Sequence, residues 1–288
     1  MDYTSLDDFI ANAEPGAFKG PVAMIFVEDL IEVESTIQYH LKAGFKPVIV
    51  FAPAALSLPD EMSSKIHRVR YDLFKPNAVT SAVNRLISEV PPGTWIYYCY
   101  NAEYLFFPFC ETRTVAELLA FHTEERRSAM LAYAVDLYAA DLDTAPNAVD
   151  LQNAMIDKSG YYALARKDAD GSIKDRQLDF HGGLRWRFEE FVPKERRKID
   201  RVALFRAAKG LELQNGNLFN VEEYNTYACP WHHNLTAVVA SFRVAKALKF
   251  NPGSTFDITT FKWYHSVPFE WHSQQLMDLG LMEPGQWF

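Results

Sequence analysis

Between Val22 and Tyr100 short apolar runs alternate with segments of helical periodicity, and no other feature of the chain restricts its fold so tightly. VAMIFV (22–27) is apolar throughout, the composition of a strand covered on both faces. The residues after it place Leu30, Val33, Ile37 and Leu41 on one helical face and stop at Ala43-Gly44. PVIVFA (47–52) predicts a second strand, and IHRVRY (66–71) a third after a Pro-containing loop. Val79, Val83, Leu86 and Ile87 mark a helix that PPG (91–93) breaks, and WIYYCY (95–100) predicts a fourth strand. This order implies an α/β layer with a mostly parallel sheet flanked by helices and right-handed crossovers. In such sheets ligands bind beyond the carboxyl ends of the strands. Asn101 and Glu103 stand just past the end of the fourth.

The grammar changes after Thr114. TVAELLAFHTEERRSAMLAYAVDLYA (114–139) predicts one long helix, and the runs YYALAR (161–166), GLRWRFEEFV (183–192) and KIDRVALFRA (198–207) predict strands. NLTAVVASFRVAKALK (234–249) and WHSQQLMDLGL (271–281) predict two closing helices, so the second half is mixed α+β. DLDTAPNAVD (141–150) is the natural boundary, giving parts 1–145 and 146–288, with one continuous domain as the alternative.

Composition limits the partners. At 288 residues, 49% hydrophobic and 23% charged, the chain can build a sizeable soluble core. Its net charge of −8 disfavours nonspecific nucleic-acid binding. Cys99, Cys110 and Cys229 are widely spaced among apolar residues, which suits a reducing cytoplasm better than a disulfide framework. The acidic start MDYTSLDDFIANAEPG is unlike a secretory leader, and no long apolar stretch predicts a membrane span. Any membrane contact is then peripheral, at the inner face, with KERRK (194–198) as its basic cluster or as a solvated turn.

Three stretches carry a family resemblance: STIQYHLKAGFKPVIVF (35–51), WIYYCYNAEYLFFP (95–108) and FEWHSQQLMDLGLM (269–282). In spacing and apolar pattern they resemble the bacterial branch of the family 2-like glycosyltransferases, built on the nucleotide-diphospho-sugar-binding GT-A fold. The resemblance implies transfer of a sugar from a nucleotide-diphosphate donor to a polysaccharide or lipid-linked acceptor. It also implies a Mg²⁺ or Mn²⁺ ion that steadies the departing diphosphate through hard acidic ligands. Aligned without a gap, the family's Asp-x-Asp falls on Tyr100 and Ala102, and its Glu on Glu103; a one-residue shift makes Asn101 and Glu103 an Asn-x-Glu substitute. Glu28-Asp29 stands where the family has Asn-Glu, FAPAALSL (51–58) lacks the family's polar turn, and Ser241 takes the place of a late His. The alternative implied by these departures is a catalytically silent relative that binds or scaffolds.

Each candidate has a second reading. Glu103 and Asn101 are donor or metal ligands, or a carboxylate paired with a base such as Arg113 and an amide that caps a strand. Asp29 lies near the nucleoside, or stabilises a helix N-terminus. His181, with Arg185 and Arg187 beyond Gly182-Gly183, grips a diphosphate, or belongs to a solvated strand face. In CPWHHN (229–234), His232 or His233 supplies one metal ligand and Trp231 a sugar-stacking ring. Tyr39-His40 is expected to be a packed pair, and Trp287 and Phe288 either dock or form an exposed patch.

Overall fold

The computed structural model describes residues 1–13, 18–58, 60–229 and 233–287. They form two compact units: Met1–Tyr104 with Arg113–Met130 and Val202–Asn225, and Leu105–Thr112 with Leu131–Arg201 and Thr226–Phe288.

In the first unit the apolar runs become strands Val22–Phe26, Val48–Ala52, His67–Arg70 and Trp95–Tyr100, as their composition predicts. Their spatial order is Asp2–Tyr3, His67–Arg70, Val48–Ala52, Val22–Phe26, Trp95–Tyr100 and Asp200–Arg206. The first five run parallel and the last antiparallel. Counting from Val22, the four predicted strands lie in the order 3-2-1-4, compatible with a Rossmann-like arrangement. Alternate side chains serve opposite faces. Met24, Phe26, Ile49, Phe51, Ile96 and Tyr98 meet Leu86 of helix Ala78–Glu89 and Phe9 of helix Leu6–Asn12. On the other face Tyr97 stacks on His40 of helix Val33–Ala43, ring centroids 5.2 Å apart. Coverage on both sides is why Val22–Phe26, Val48–Ala52 and Trp95–Tyr100 are apolar without alternation, whereas the less covered His67–Arg70 carries polar residues.

The second unit contains most of Ala129–Ala139, which pairs in parallel with Ala237–Ser241 and antiparallel with Ala154–Asp157. Ser266–Pro268 joins Ala154–Asp157, and Tyr162–Lys167 and Ile173–His181 form a separate antiparallel ribbon. Tyr138, Met155, Leu184, Leu248 and Phe261 share its core.

Three segments differ from the sequence expectation. The long helix predicted over 114–139 is a helix, Val115–Glu124, followed by a strand, Ala129–Ala139. Arg126 at φ 57° turns the chain, and the strand is buried everywhere except Tyr133, so its run of apolar residues around Asp136 imitated a continuing helix. The strand predicted at 183–192 is instead a short helix, Leu184–Arg187, and a 3-10 turn, Glu189–Phe191. Gly182 and Gly183, at φ 151° and 62°, redirect the chain there, and the Leu184 amide donates to Asp136 Oδ2 at 2.9 Å. The helix predicted at 234–249 is strand Ala237–Ser241 followed by helix Arg243–Phe250. At the junction the Ser241 hydroxyl oxygen accepts from the Arg243 amide.

Among the described residues no helix is long and apolar enough to cross a membrane.

Candidate functional site

The crevice of a 3-2-1-4 sheet lies where the connections leave strands 1 and 4 in opposite directions, here beyond Phe26 and Tyr100. Asn101 occupies that address and is tied into the surrounding loop. Its Oδ1 accepts from the Glu28 amide at 2.9 Å, while its Nδ2 donates to Asp29 Oδ1 and to the Ile31 carbonyl, each at 2.8 Å. One side chain thereby ties together the loop that follows the first strand. Asn101 is 0% exposed and Glu103 1%. Glu103 Oε2 turns back to accept from the Tyr100 amide at 2.9 Å, and its charge reaches His40 rather than solvent. The amides of Asn101 and Ala102 donate to the Phe26 carbonyl and the Thr36 hydroxyl. Ala102 sits at φ 59°, so the YNAE segment is a tight left-handed turn whose Tyr100, Asn101 and Ala102 amides are satisfied within the protein.

This arrangement answers why an amide and a carboxylate follow a buried strand: they complete a turn that would otherwise bury unpaired backbone groups. A divalent cation needs several exposed oxygens. Asn101 and Glu103 present none, and the residues do not fit the ion that the resemblance implies. Asp29 caps the Ile31 amide as well as accepting from Asn101, and does not open a helix. The loop after Ala52 is held by Arg68, whose Nη2 donates to the carbonyls of Pro53 and Ala54.

His40, the expected packed residue, donates from Nδ1 to the Thr36 carbonyl at 2.8 Å and is held down to about 4 by burial. Tyr104 bonds Ser35 at 2.8 Å, and burial pushes its phenol up to about 12. Both belong to the core behind the turn.

In the second unit the proposed phosphate grip is not assembled. His181 stacks on Tyr162 with ring centroids 5.2 Å apart. Arg185 is buried, donates to the carbonyls of Ala134 and Lys198, and lies 3.9 Å from Asp136. Arg187 pairs with Asp157 and lies over the ring of Trp263. The three diverge because residues 184–187 are helical, whereas alternation along a strand would have aligned the two arginines. Asp157 also accepts from Trp263 Nε1 at 2.7 Å and from the Tyr138 hydroxyl. In the basic cluster Arg197 pairs with Glu189 and Lys198 with Asp179. Trp287 docks near Phe107 and Phe109. Trp231, His232 and Phe288 lie outside the described residues.

Among the described residues, the sequence candidate His233 borders an open cavity. It lines a cleft with Tyr133, Tyr227, Asn234, Thr236 and Glu283, all within the second unit. Asn234 adjoins His233 in the CPWHHN stretch, whereas Tyr133 and Glu283 escaped the sequence reading because they come from distant segments that only the packed chain brings together. No group of three metal-ligating side chains occurs among the described residues. No protein-family model matches the chain, and no curated protein matches it either.

Proposed function

We propose that this chain is a binding or scaffold protein that retains a GT-A-like sheet without metal-dependent sugar transfer. The observation that carries the reading is the state of Asn101. Its amide is engaged by the loop at the strand ends, where a transferase of the resembled family would receive the donor diphosphate and its Mn²⁺ or Mg²⁺. Tyr100 and Ala102 at the positions of the two family aspartates support the same reading, as does Glu103, whose carboxylate faces the core. A saccharide or lipid-linked partner remains the class of molecule that the resemblance suggests.

Calorimetry with UDP- and GDP-sugars, with and without Mn²⁺, tests it on the wild type and on the isosteric Glu103→Gln. The expected result is no metal-enhanced heat with any donor. Metal-enhanced binding that Glu103→Gln abolishes would return the chain to the transferases.

A further inference from the structure

The cleft of the second unit is held by backbone contacts and lined by polar side chains, among them Tyr133, Asn234 and Glu283. Thr236 and Glu283 are clamped together: the Thr236 amide donates to the Glu283 carbonyl at 3.0 Å, and the Glu283 amide donates to the Thr236 hydroxyl at 2.9 Å. Gly285, at φ 61°, lets the chain turn against Leu235, where a Cβ would come within 2.8 Å of the Leu235 nitrogen. Glu283 is thus held at the cleft by its main chain, while its carboxylate makes no hydrogen bond or ion pair with any described residue. Tyr133 leans edge-on against Phe180 at 4.7 Å. Burial, then the nearby carboxylates of Glu283 and Asp200, push its phenol up, so it stays a donor, and it too has no hydrogen-bond partner among the described residues. Asn234 uses its Oδ1 to accept from the Cys229 amide, which aims the Nδ2 group at the remaining space. Tyr227 and His233 stack at 6.1 Å with 21° between their planes.

These groups specify a ligand. Two donors, Tyr133 Oη and Asn234 Nδ2, require acceptors on it, and the Glu283 carboxylate requires a donor. Hydroxyl groups supply both. A phosphate or nucleotide diphosphate meets the opposite conditions, since no Lys or Arg among the described residues lines the cleft and Glu283 repels an anion. A simple cation would satisfy Glu283 but leave two donors facing it. The space of about 210 Å³ falls below the roughly 300–1,000 Å³ of drug-sized sites, which limits the occupant to a single ring. The ring of Tyr227 offers that occupant an apolar face.

We propose that this cleft binds one uncharged, hydroxyl-bearing ring, the chemical class of a single unphosphorylated sugar residue. Tyr133 and Asn234 donate to its hydroxyl oxygens and Glu283 accepts from a hydroxyl. The proposal rests on the binding reading above only in treating the chain as a binder; its residues lie outside the strand-end turn, and the two can fail separately.

Saturation-transfer NMR titrations with the methyl glycosides of glucose, galactose, mannose and N-acetylglucosamine, and with glucose 6-phosphate, test it on the wild type, Glu283→Ala and Tyr133→Phe. Glu283 is exposed and Tyr133→Phe removes one hydroxyl, so both variants should fold, which circular dichroism verifies. At least one neutral glycoside is expected to bind, weakened about tenfold or more by Glu283→Ala and about fivefold by Tyr133→Phe. Absence of binding by every neutral glycoside, binding of the phosphate ester alone, or binding unchanged in both variants would each overturn it. Metal-enhanced donor binding in the calorimetry would refute the non-catalytic reading and leave this site standing.

Discussion

Replacing Asn101 by alanine separates a structural amide from a ligand-binding one. The substitution removes three hydrogen bonds of 2.8–2.9 Å and leaves the Glu28 amide and the Ile31 carbonyl without their partner. An orphaned buried polar group costs about 1–3 kcal/mol. Glu28, Asp29 and Ile31 are half-buried, so water recovers part of the loss, and a net destabilisation of roughly 3 kcal/mol is expected. Asn101→Asp should lose at least as much, because it keeps the acceptor for Glu28 but sets a second carboxylate against Asp29. Urea unfolding followed by far-ultraviolet circular dichroism reads both effects as a lower midpoint at unchanged slope. A loss under about 0.5 kcal/mol would refute the reasoning: the amide would then be dispensable to the fold and available to a ligand.

Two further outcomes follow from buried groups. Burial holds His40 and His122 down to about 4, below the ordinary 6.5, so they remain neutral when folded while the unfolded chain takes up protons. Their stabilisation is complete above 6.5 and lost as pH falls towards 4, about 3 kcal/mol each, and His122→Gln should flatten that loss in acid-titration melts. Asp136 has the opposite sign: burial raises it to about 6 from 3.8, so stability declines as pH rises through that window. Asp136→Asn should therefore gain up to about 3 kcal/mol on the wild type between pH 4 and pH 7. Gly182→Ala should destabilise by about 3 kcal/mol or more, because its Cβ would lie 2.4 Å from the Tyr161 ring at φ 151°. Gly171→Ala, with open space around it, should cost about 1 kcal/mol in the same urea melts.

The alternation from Val22 to Tyr100 was legible where its two periodicities are clear. Strands covered on both faces must be apolar at every position, and helices covered on one face must repeat their apolar residues at three and four, so neither VAMIFV nor the Val79–Ile87 pattern can be taken for the other. Residues 129–139 and 237–241 defeated the same logic, since a fully buried strand beside a helix looks like more helix until tertiary pairing settles it. The functional positions divide in the same way. The address of Asn101 and Glu103 at the end of the fourth strand was readable from order alone. Which way they face was not, because that depends on Glu28, Asp29, Ile31 and Thr36, whose amides, carbonyl, carboxylate and hydroxyl reach the turn only after the sheet has formed. The cleft of Tyr133, Asn234 and Glu283 lay still further from the sequence's reach. A local pattern records which face of an element is apolar, but the meeting of polar groups from remote segments is a property of the packed chain.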